Sequence, residues 1–498
     1  MKKQILSICA IGVIAFTSCS KDDQGDQTIA IDPMQKEQLS ATAINAKINQ
    51  NIQADGKFEW NEASSQMVWS AIQQGSQVCT VGFGTSRTDF ERTASASKIT
   101  QSSILGIIAK YEGKAIEKIM ISSDPYLNQV DVIIEKQETI IALRNSGMVR
   151  YVEPSGYRYF EASENQRSSV TSSGCGFDSE TLATADYTTI TPNAKAPWTF
   201  YKHNITSAWN YSTGKGITIG VVDTGASPNQ SLLNGNFNNG DSSGRTVQRY
   251  GVYVDSIWPW STGTDGPDDK CGHGTSMSSV AAAPRNDKGL PVGVAYNANL
   301  IVYRAASNVV LDGYHELNGV KNAFTALGNN ANVKIISMSM GTIISSSKVE
   351  DGIRYAYGKG KLIFCAGGTS TSFTNFVGVI FPAWMNEVVA VTGVKENAMT
   401  ECDVCHKGNK IEFTVAMQRS ASGNTVPVGS YYDGLTDYVG GSSVATATTA
   451  GIAALVWAKN PSWTRDQVLV KMRQSGSLYP NRDGNFGYGN VDALKAVQ

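Results

Sequence analysis

Residues 217–225, Ile217-Thr218-Ile219-Gly220-Val221-Val222-Asp223-Thr224-Gly225, decide how the rest of the chain is read. A nearly continuous apolar run reads as a strand buried on both faces, because a half-buried strand would alternate with period two. This run closes on a carboxylate and then a turn-forming glycine. Apolar runs of the same kind recur at residues 300–303, 333–337, 362–366 and 388–391, with helical stretches between them. Strands alternating with helices predict an α/β domain over residues 196–498, a mostly parallel sheet with helices on both faces. Active sites of such sheets lie outside the carboxyl ends of the strands, which is where Asp223 falls.

Two later stretches carry the other chemistry: Gly272-His273-Gly274-Thr275-Ser276, and Gly440-Gly441-Ser442-Ser443-Val444-Ala445-Thr446-Ala447. His273 and Ser443 each open an apolar helical run. Taken singly, each residue has a bland reading. Asp-Thr-Gly also marks aspartic proteases, but those need two carboxylates sharing a proton, and no second copy occurs. His273 alone reads as a core histidine, and Ser443 alone as a helix N-cap. Together they supply acyl-transfer chemistry. A serine hydroxyl becomes a nucleophile when an imidazole accepts its proton, and a carboxylate fixes the tautomer of that imidazole.

In this order, Asp then His then Ser, the chain resembles the subtilisin-like serine proteases (subtilases) over roughly its last three-fifths. The resemblance implies a Ser443, His273, Asp223 triad, with the Ser443 backbone N–H serving the oxyanion. It also implies protein or peptide substrates, whose main chain and P1 residue are framed by Ser339-Met340-Gly341 and Ala366-Gly367. Pairing at the first of these would be strand addition, with side-chain pockets giving specificity. Phe381-Pro382-Ala383 and the tail Gly487-Tyr488-Gly489-Asn490-Val491-Asp492-Ala493 follow the family pattern too.

Two positions depart from it. Gly368 stands where the family carries its oxyanion asparagine, and glycine has no amide to donate. Losing one such donor costs about 10²–10³ in turnover. Hydroxyls at Thr369, Ser370, Thr371 or Ser372 are candidate substitutes. Ala447 stands where the family has proline, a change expected to affect stability slightly and catalysis little. The Gly368 departure motivates an alternative reading, a catalytically impaired subtilase-fold surface lipoprotein that acts as a binding module.

Other signals carry less. Cys402-Asp403-Val404-Cys405-His406 matches a haem-attachment pattern, yet it reads as a surface insertion in which a local disulfide or pairing elsewhere is favoured over haem or zinc. Cys271, beside His273, reads as a packing or disulfide cysteine. Asp265, Asp268 and Asp269 read as a solvated acidic loop. No cofactor is required by the chemistry; hard oxygen ligands suit structural calcium, without a complete site being assignable.

A basic start, Lys2-Lys3, an apolar run over residues 5–16 and Thr17-Ser18-Cys19 resemble a lipoprotein signal over residues 1–18, with Cys19 as the lipidated residue. That implies export and a membrane anchor, at the outer membrane or cell surface, with release after processing. Residues 19–75 read as a polar tether holding a short helix near residues 38–53. Residues 76–158 alternate strands (78–82, 116–122, 129–135, 149–153) with helices (99–110, 138–145), a ferredoxin-like α+β arrangement that resembles an inhibitory prosegment. Residues 159–195, rich in Ser, Thr and Gly, read as an exposed linker with the maturation cleavage between residues 155 and 195. A formal net charge of -1 gives no reason to expect a nucleic-acid partner. Leaving out Cys9 and Cys19, six of the eight cysteines remain, and six allow 15 pairings, so the connectivity stays open.

Overall fold

A computed structural model describes residues 37–93, 95–160, 174–369 and 378–498. The signal and Cys19, residues 161–173 of the linker, and Ser370, Thr371 and Ser372 lie outside the described residues.

The chain begins with helix α1 (Ala41–Asp55), capped where the Ser40 hydroxyl accepts from Ala43 N–H at 3.2 Å and stopped at Gly56 with φ of 76°. Ile44, Ile48 and Ile52, spaced by four, bury one stripe of it. Helix α2 (Ser65–Gln74) buries Met67, Val68, Ala71 and Ile72 in the same cluster. There follow β1 (Val78–Phe83), α3 (Ala96–Glu112), a single turn α4 (Ile116–Ile119), β2 (Met120–Ser123), β3 (Gln129–Ile133), α5 (Gln137–Asn145) and β4 (Val149–Glu153). The strands form an antiparallel sheet in the order β2-β3-β1-β4.

Two expectations change here. Residues 41–74 are not a polar tether; their apolar stripes complete the core of the N-terminal unit, whose boundary moves back to about residue 40. Residues 116–119 are helical and only then does the chain turn into β2, because Ile116 and Ile119 present one helical face rather than alternate faces of a strand.

Residues 174–195 do not hang free either. Cys175 is bonded to Cys271, Glu180 N–H donates to Thr436 C=O at 2.8 Å, and β5 (Tyr187–Ile190) pairs with β6 (Ala194–Pro197) as a hairpin.

After two short helices, α6 (Trp198–Lys202) and α7 (Ile205–Ala208), the larger unit runs β7 (Thr218–Asp223), β8 (Val247–Gly251), α8 (His273–Ala282), β9 (Asn299–Arg304), α9 (Tyr314–Asn329), β10 (Val333–Met338), α10 (Ser347–Gly358), β11 (Leu362–Ala366), β12 (Val389–Lys395) and β13 (Ile411–Gln418). It closes with the ribbon β14 (Val426–Gly429) and β15 (Thr436–Val439), then α11 (Gly441–Lys459), α12 (Arg465–Ser475) and α13 (Ala493–Val497). Seven parallel strands stand in the order β13-β12-β11-β10-β7-β9-β8. Apolar clusters cover both faces of the sheet, as the unalternating runs require.

Helix α11 is apolar along its length and almost wholly buried against the sheet. Its threonines are tolerated there because Thr446 and Thr449 hydroxyls donate back to the carbonyls of Ser442 and Ala445, each at 2.8 Å. Ala447 lies inside this regular helix.

The two units share a buried polar seam. Arg150 on β4 forms a two-pronged pair with Asp351 on α10, at 2.9 and 2.6 Å. Tyr151 and Gln129 donate to the same carboxylate at 3.0 and 2.9 Å. Lys348 pairs with Asp131 at 2.8 Å, Lys321 with Asp124, and the Glu153 carboxylate accepts from Ser347 N–H at 2.8 Å at the start of α10.

Candidate active site

Asp223 is the last residue of the interior strand β7 and is fully buried. His273 is the first residue of α8 and points back at it: the imidazole Nδ1–H donates to Asp223 Oδ1 at 2.8 Å. Thr224 N–H donates to the same oxygen at 2.8 Å, while Oδ2 is buried without a partner among the described residues. The approach of the two elements is close enough to dictate a glycine. A Cβ on Gly274 would meet Gly225 C=O at 2.3 Å. Burial alone would lower the imidazole pKa; the charge of Asp223 and its hydrogen bond outweigh that, with help from Asp269, and hold it above the usual 6.5. With Nδ1 committed, Nε2 is the nitrogen left for proton transfer.

Ser443 lies in the first turn of α11, where backbone N–H groups have no intrahelical partner and the helix end favours negative charge. Ser443, His273, Ser339, Met340, Gly341, Ala366, Gly368 and Thr369 line one cavity of about 260 Å³. The Ser443 hydroxyl donates to Ser339 C=O at 3.3 Å, and the Ser339 hydroxyl to Ser443 C=O at 3.0 Å. Among the described residues the Ser443 hydroxyl is not hydrogen-bonded to the imidazole. At 3.3 Å this is a long, weak hydroxyl bond.

The expected substrate-pairing edge is occupied by the chain itself. Gly341 N–H donates to Val309 C=O, and Leu311 N–H donates to Gly341 C=O, both at 3.0 Å. A peptide strand adding at Gly341 must therefore displace residues 309–311. Gly367 faces away from such pairing: its N–H donates to Val391 C=O at 2.8 Å. Phe160, the last described residue of the N-terminal unit, lines the same cavity, as does Gly174.

Gly368 has a φ of 131°, which disfavours any side chain, and a Cβ there would lie 2.4 Å from His406 Nδ1. The imidazole of His406 thus fills the place of the missing side chain. Its Nδ1–H donates to Gly378 C=O at 2.7 Å, and its backbone N–H to Gly368 C=O at 3.0 Å. The insertion between β12 and β13 exposes Asp403 and Val404 but buries Cys402, Cys405 and His406, with Cys402 and Cys405 bonded to one another. No group of three or more metal-ligating side chains occurs among the described residues.

Reading the sequence missed Asp269. Instead of a solvated loop carboxylate, it is buried and accepts five hydrogen bonds: from Cys271 N–H, Gly272 N–H and Thr224 Oγ1 on one oxygen, and from Thr275 N–H and Oγ1 on the other, at 2.6–2.9 Å. It thereby ties the Asp223 turn to the start of the His273 helix. Asp265 is likewise not solvated, pairing through two oxygens with Arg304. Only Asp268 keeps substantial exposure. Asp269 lies three residues before Gly272, the N-cap of α8, and no spacing in the sequence marks it out from a solvated loop carboxylate.

A family described as Peptidase S8, the subtilase family, matches residues 214–489. Thermitase of Thermoactinomyces vulgaris is 25% identical over 291 residues, 58% of this chain and 92% of the relative. A subtilisin from Bacillus sp. (strain TA39) is 28% identical over 324 residues, covering 61% and 72%. Among solved structures, MycP1 from Mycobacterium smegmatis aligns at a TM-score of 0.46 and 19% identity, over 64% of this chain and 89% of that one. The matched family region spans more than half of the sequence and contains Asp223, His273 and Ser443: the chain belongs to the subtilase family.

Proposed function

We propose that the protein is an exported serine endopeptidase made as a self-inhibited precursor, with Asp223, His273 and Ser443 as its triad. The observation that carries this reading is the 2.8 Å bond between His273 Nδ1 and Asp223 Oδ1, on a cavity that Ser443 also lines. Ser443 Oγ attacks the scissile carbonyl carbon as His273 Nε2 takes its proton. The C=O π pair moves onto oxygen, where the Ser443 backbone N–H stabilises it. Collapse breaks the C–N bond, and the imidazolium returns the proton to the leaving amine. Water then repeats the sequence on the acyl-enzyme. Asp223 holds the tautomer and offsets the charge of the imidazolium.

The precursor reading is supported by the buried seam and by Phe160, which places the end of the N-terminal unit in the cavity. Cleavage between residues 161 and 173 would leave the new N-terminus stapled beside His273 through Cys175–Cys271. Cys19 remains the candidate lipid anchor, testable by radiolabelled fatty-acid incorporation into wild type and Cys19→Ala.

The second reading, a binding module, draws on Gly368 and on the occupied edge at Gly341. Processing separates the two. The endopeptidase yields a shortened chain that Ser443→Ala does not; identical intact chains from both would establish the binding module.

A further inference from the structure

The groove beside Ser443 lacks a side-chain donor at residue 368, and the structure shows why none can stand there: the His406 ring is in the way. The next residue is differently placed. Thr369 Oγ1 lies 3.1 Å from Ser442 Oγ and 2.8 Å from where a Cβ on Gly441 would be, so it leans on the first turn of α11. The Ser443 N–H belongs to that turn. Ser442 Oγ also accepts from Gly368 N–H at 3.2 Å. With a lone pair engaged there, the Ser442 hydroxyl proton is available to Thr369 Oγ1. Hydrogen bonds in such a series polarise one another. A threonine hydroxyl is a rotor, so its own proton re-aims when charge develops on a nearby oxygen.

A disulfide loop fixes this hydroxyl from behind. Thr369 pairs with Cys405 in an antiparallel bridge, Cys405 is bonded to Cys402, and His406 N–H holds Gly368 C=O at 3.0 Å. The loop that excludes an amide at residue 368 therefore positions the residue after it.

We infer that the Thr369 hydroxyl is the side-chain donor of the oxyanion hole, held in place by the Cys402–Cys405 loop and its His406. The inference rests on the endopeptidase reading of Ser443. Thr369 is a catalytic residue in this account, since it touches the reacting oxygen; His406 and the disulfide are positioning groups.

The test is steady-state kinetics on processed protein with a chromogenic peptide, for wild type, Thr369→Val, Thr369→Ala and Thr369→Ser. Donor removals of this kind cost about 10²–10³ in kcat; we expect a loss of about 30-fold or more in kcat for Val and Ala. KM should hold within about threefold, and Ser should stay within about fivefold of wild type. A peptide aldehyde, whose adduct places charge in the hole, should lose affinity in proportion to kcat, while a product peptide keeps its affinity. Cys402→Ser/Cys405→Ser, which releases this loop and leaves Cys175–Cys271 intact, should lose kcat in the same sense. Thr369→Val within threefold of wild type overturns the inference, as does Thr369→Ser being as slow as Thr369→Val. If Val and Ala do not fold, aldehyde affinity in Thr369→Ser decides: a loss equal to or greater than 30-fold overturns it. An inactive wild type whose Ser443 resists a phosphonate overturns the endopeptidase reading itself, and this inference with it.

Discussion

Replacing Asp269 by Asn tests whether a carboxylate that touches no substrate sets the geometry of His273. The change is nearly isosteric but removes the charge and turns one acceptor oxygen into an NH₂ group. If the amide keeps its oxygen toward Cys271, Gly272 and Thr224, the NH₂ faces Thr275 N–H, now a buried donor against a donor. The Thr275 hydroxyl rotates to accept, so one clash remains. A buried donor without a partner costs about 1–3 kcal/mol, and a hydrogen bond to a charged acceptor contributes about 1.5–3 kcal/mol. The sum, about 2.5–6 kcal/mol, lowers the unfolding midpoint by roughly 4–9 °C in a unit of this size. Calorimetry gives the midpoint. Kinetics on the folded variant should show kcat reduced about tenfold or more with KM little changed, because the disturbed group, Thr275 N–H, lies in the first turn of the helix that carries His273 rather than at the cleft edge. Asp269→Asn with an unshifted midpoint and unchanged kcat would refute the reasoning.

Three further outcomes are expected. The acid limb of kcat/KM should fall above pH 6.5, since the acting base is neutral His273 and its pKa is raised; activity appears as pH rises through that value, and a limb below 6.5 contradicts the assignment. Glu153, raised from 4.5 to about 7 first by burial and further by Glu350, against the lowering effects of Ser346, Lys348 and Ser347 N–H, takes up a proton on docking between those pH values. Docking of the N-terminal unit is therefore strongest in acid and weakens as pH rises toward 7, by at most about 3 kcal/mol. Gel filtration of processed protein at pH 5 and pH 8 should show co-elution, then separation, and Glu153→Gln should flatten the difference. Removing Cys175–Cys271, which closes a separation of 96 residues, should cost up to about 4–5 kcal/mol of stability by chain entropy; urea titration of Cys175→Ser/Cys271→Ser checks it.

The strands that build the sheet centre, β7 and β9 to β12, were legible because burial on both faces makes the residues uniformly apolar. Edge strand β8 was not: Val247-Gln248-Arg249-Tyr250-Gly251 is only half-buried and carries polar side chains. β13 passed unread behind the Cys402–His406 insertion. In the N-terminal unit, glutamines and asparagines on α1 disguised a three-isoleucine stripe as part of a polar tether. The positions of Asp223, His273 and Ser443 at strand and helix ends followed from motif and topology together. What replaces the amide at residue 368 did not, because His406 reaches it from 38 positions away along the chain, and only the fold brings the two together. Asp269 was misjudged for a related reason: an acidic residue in a loop reads as solvated until the five donors that surround it are seen.

The convergence of carboxylate, imidazole and hydroxyl is tested most directly by mapping a fluorophosphonate adduct on processed protein by mass spectrometry. The account predicts one serine adduct, on Ser443, formed at least about a hundredfold more slowly in His273→Ala and absent in Ser443→Ala. An unmodified Ser443, or an adduct there whose rate is indifferent to His273, would contradict it.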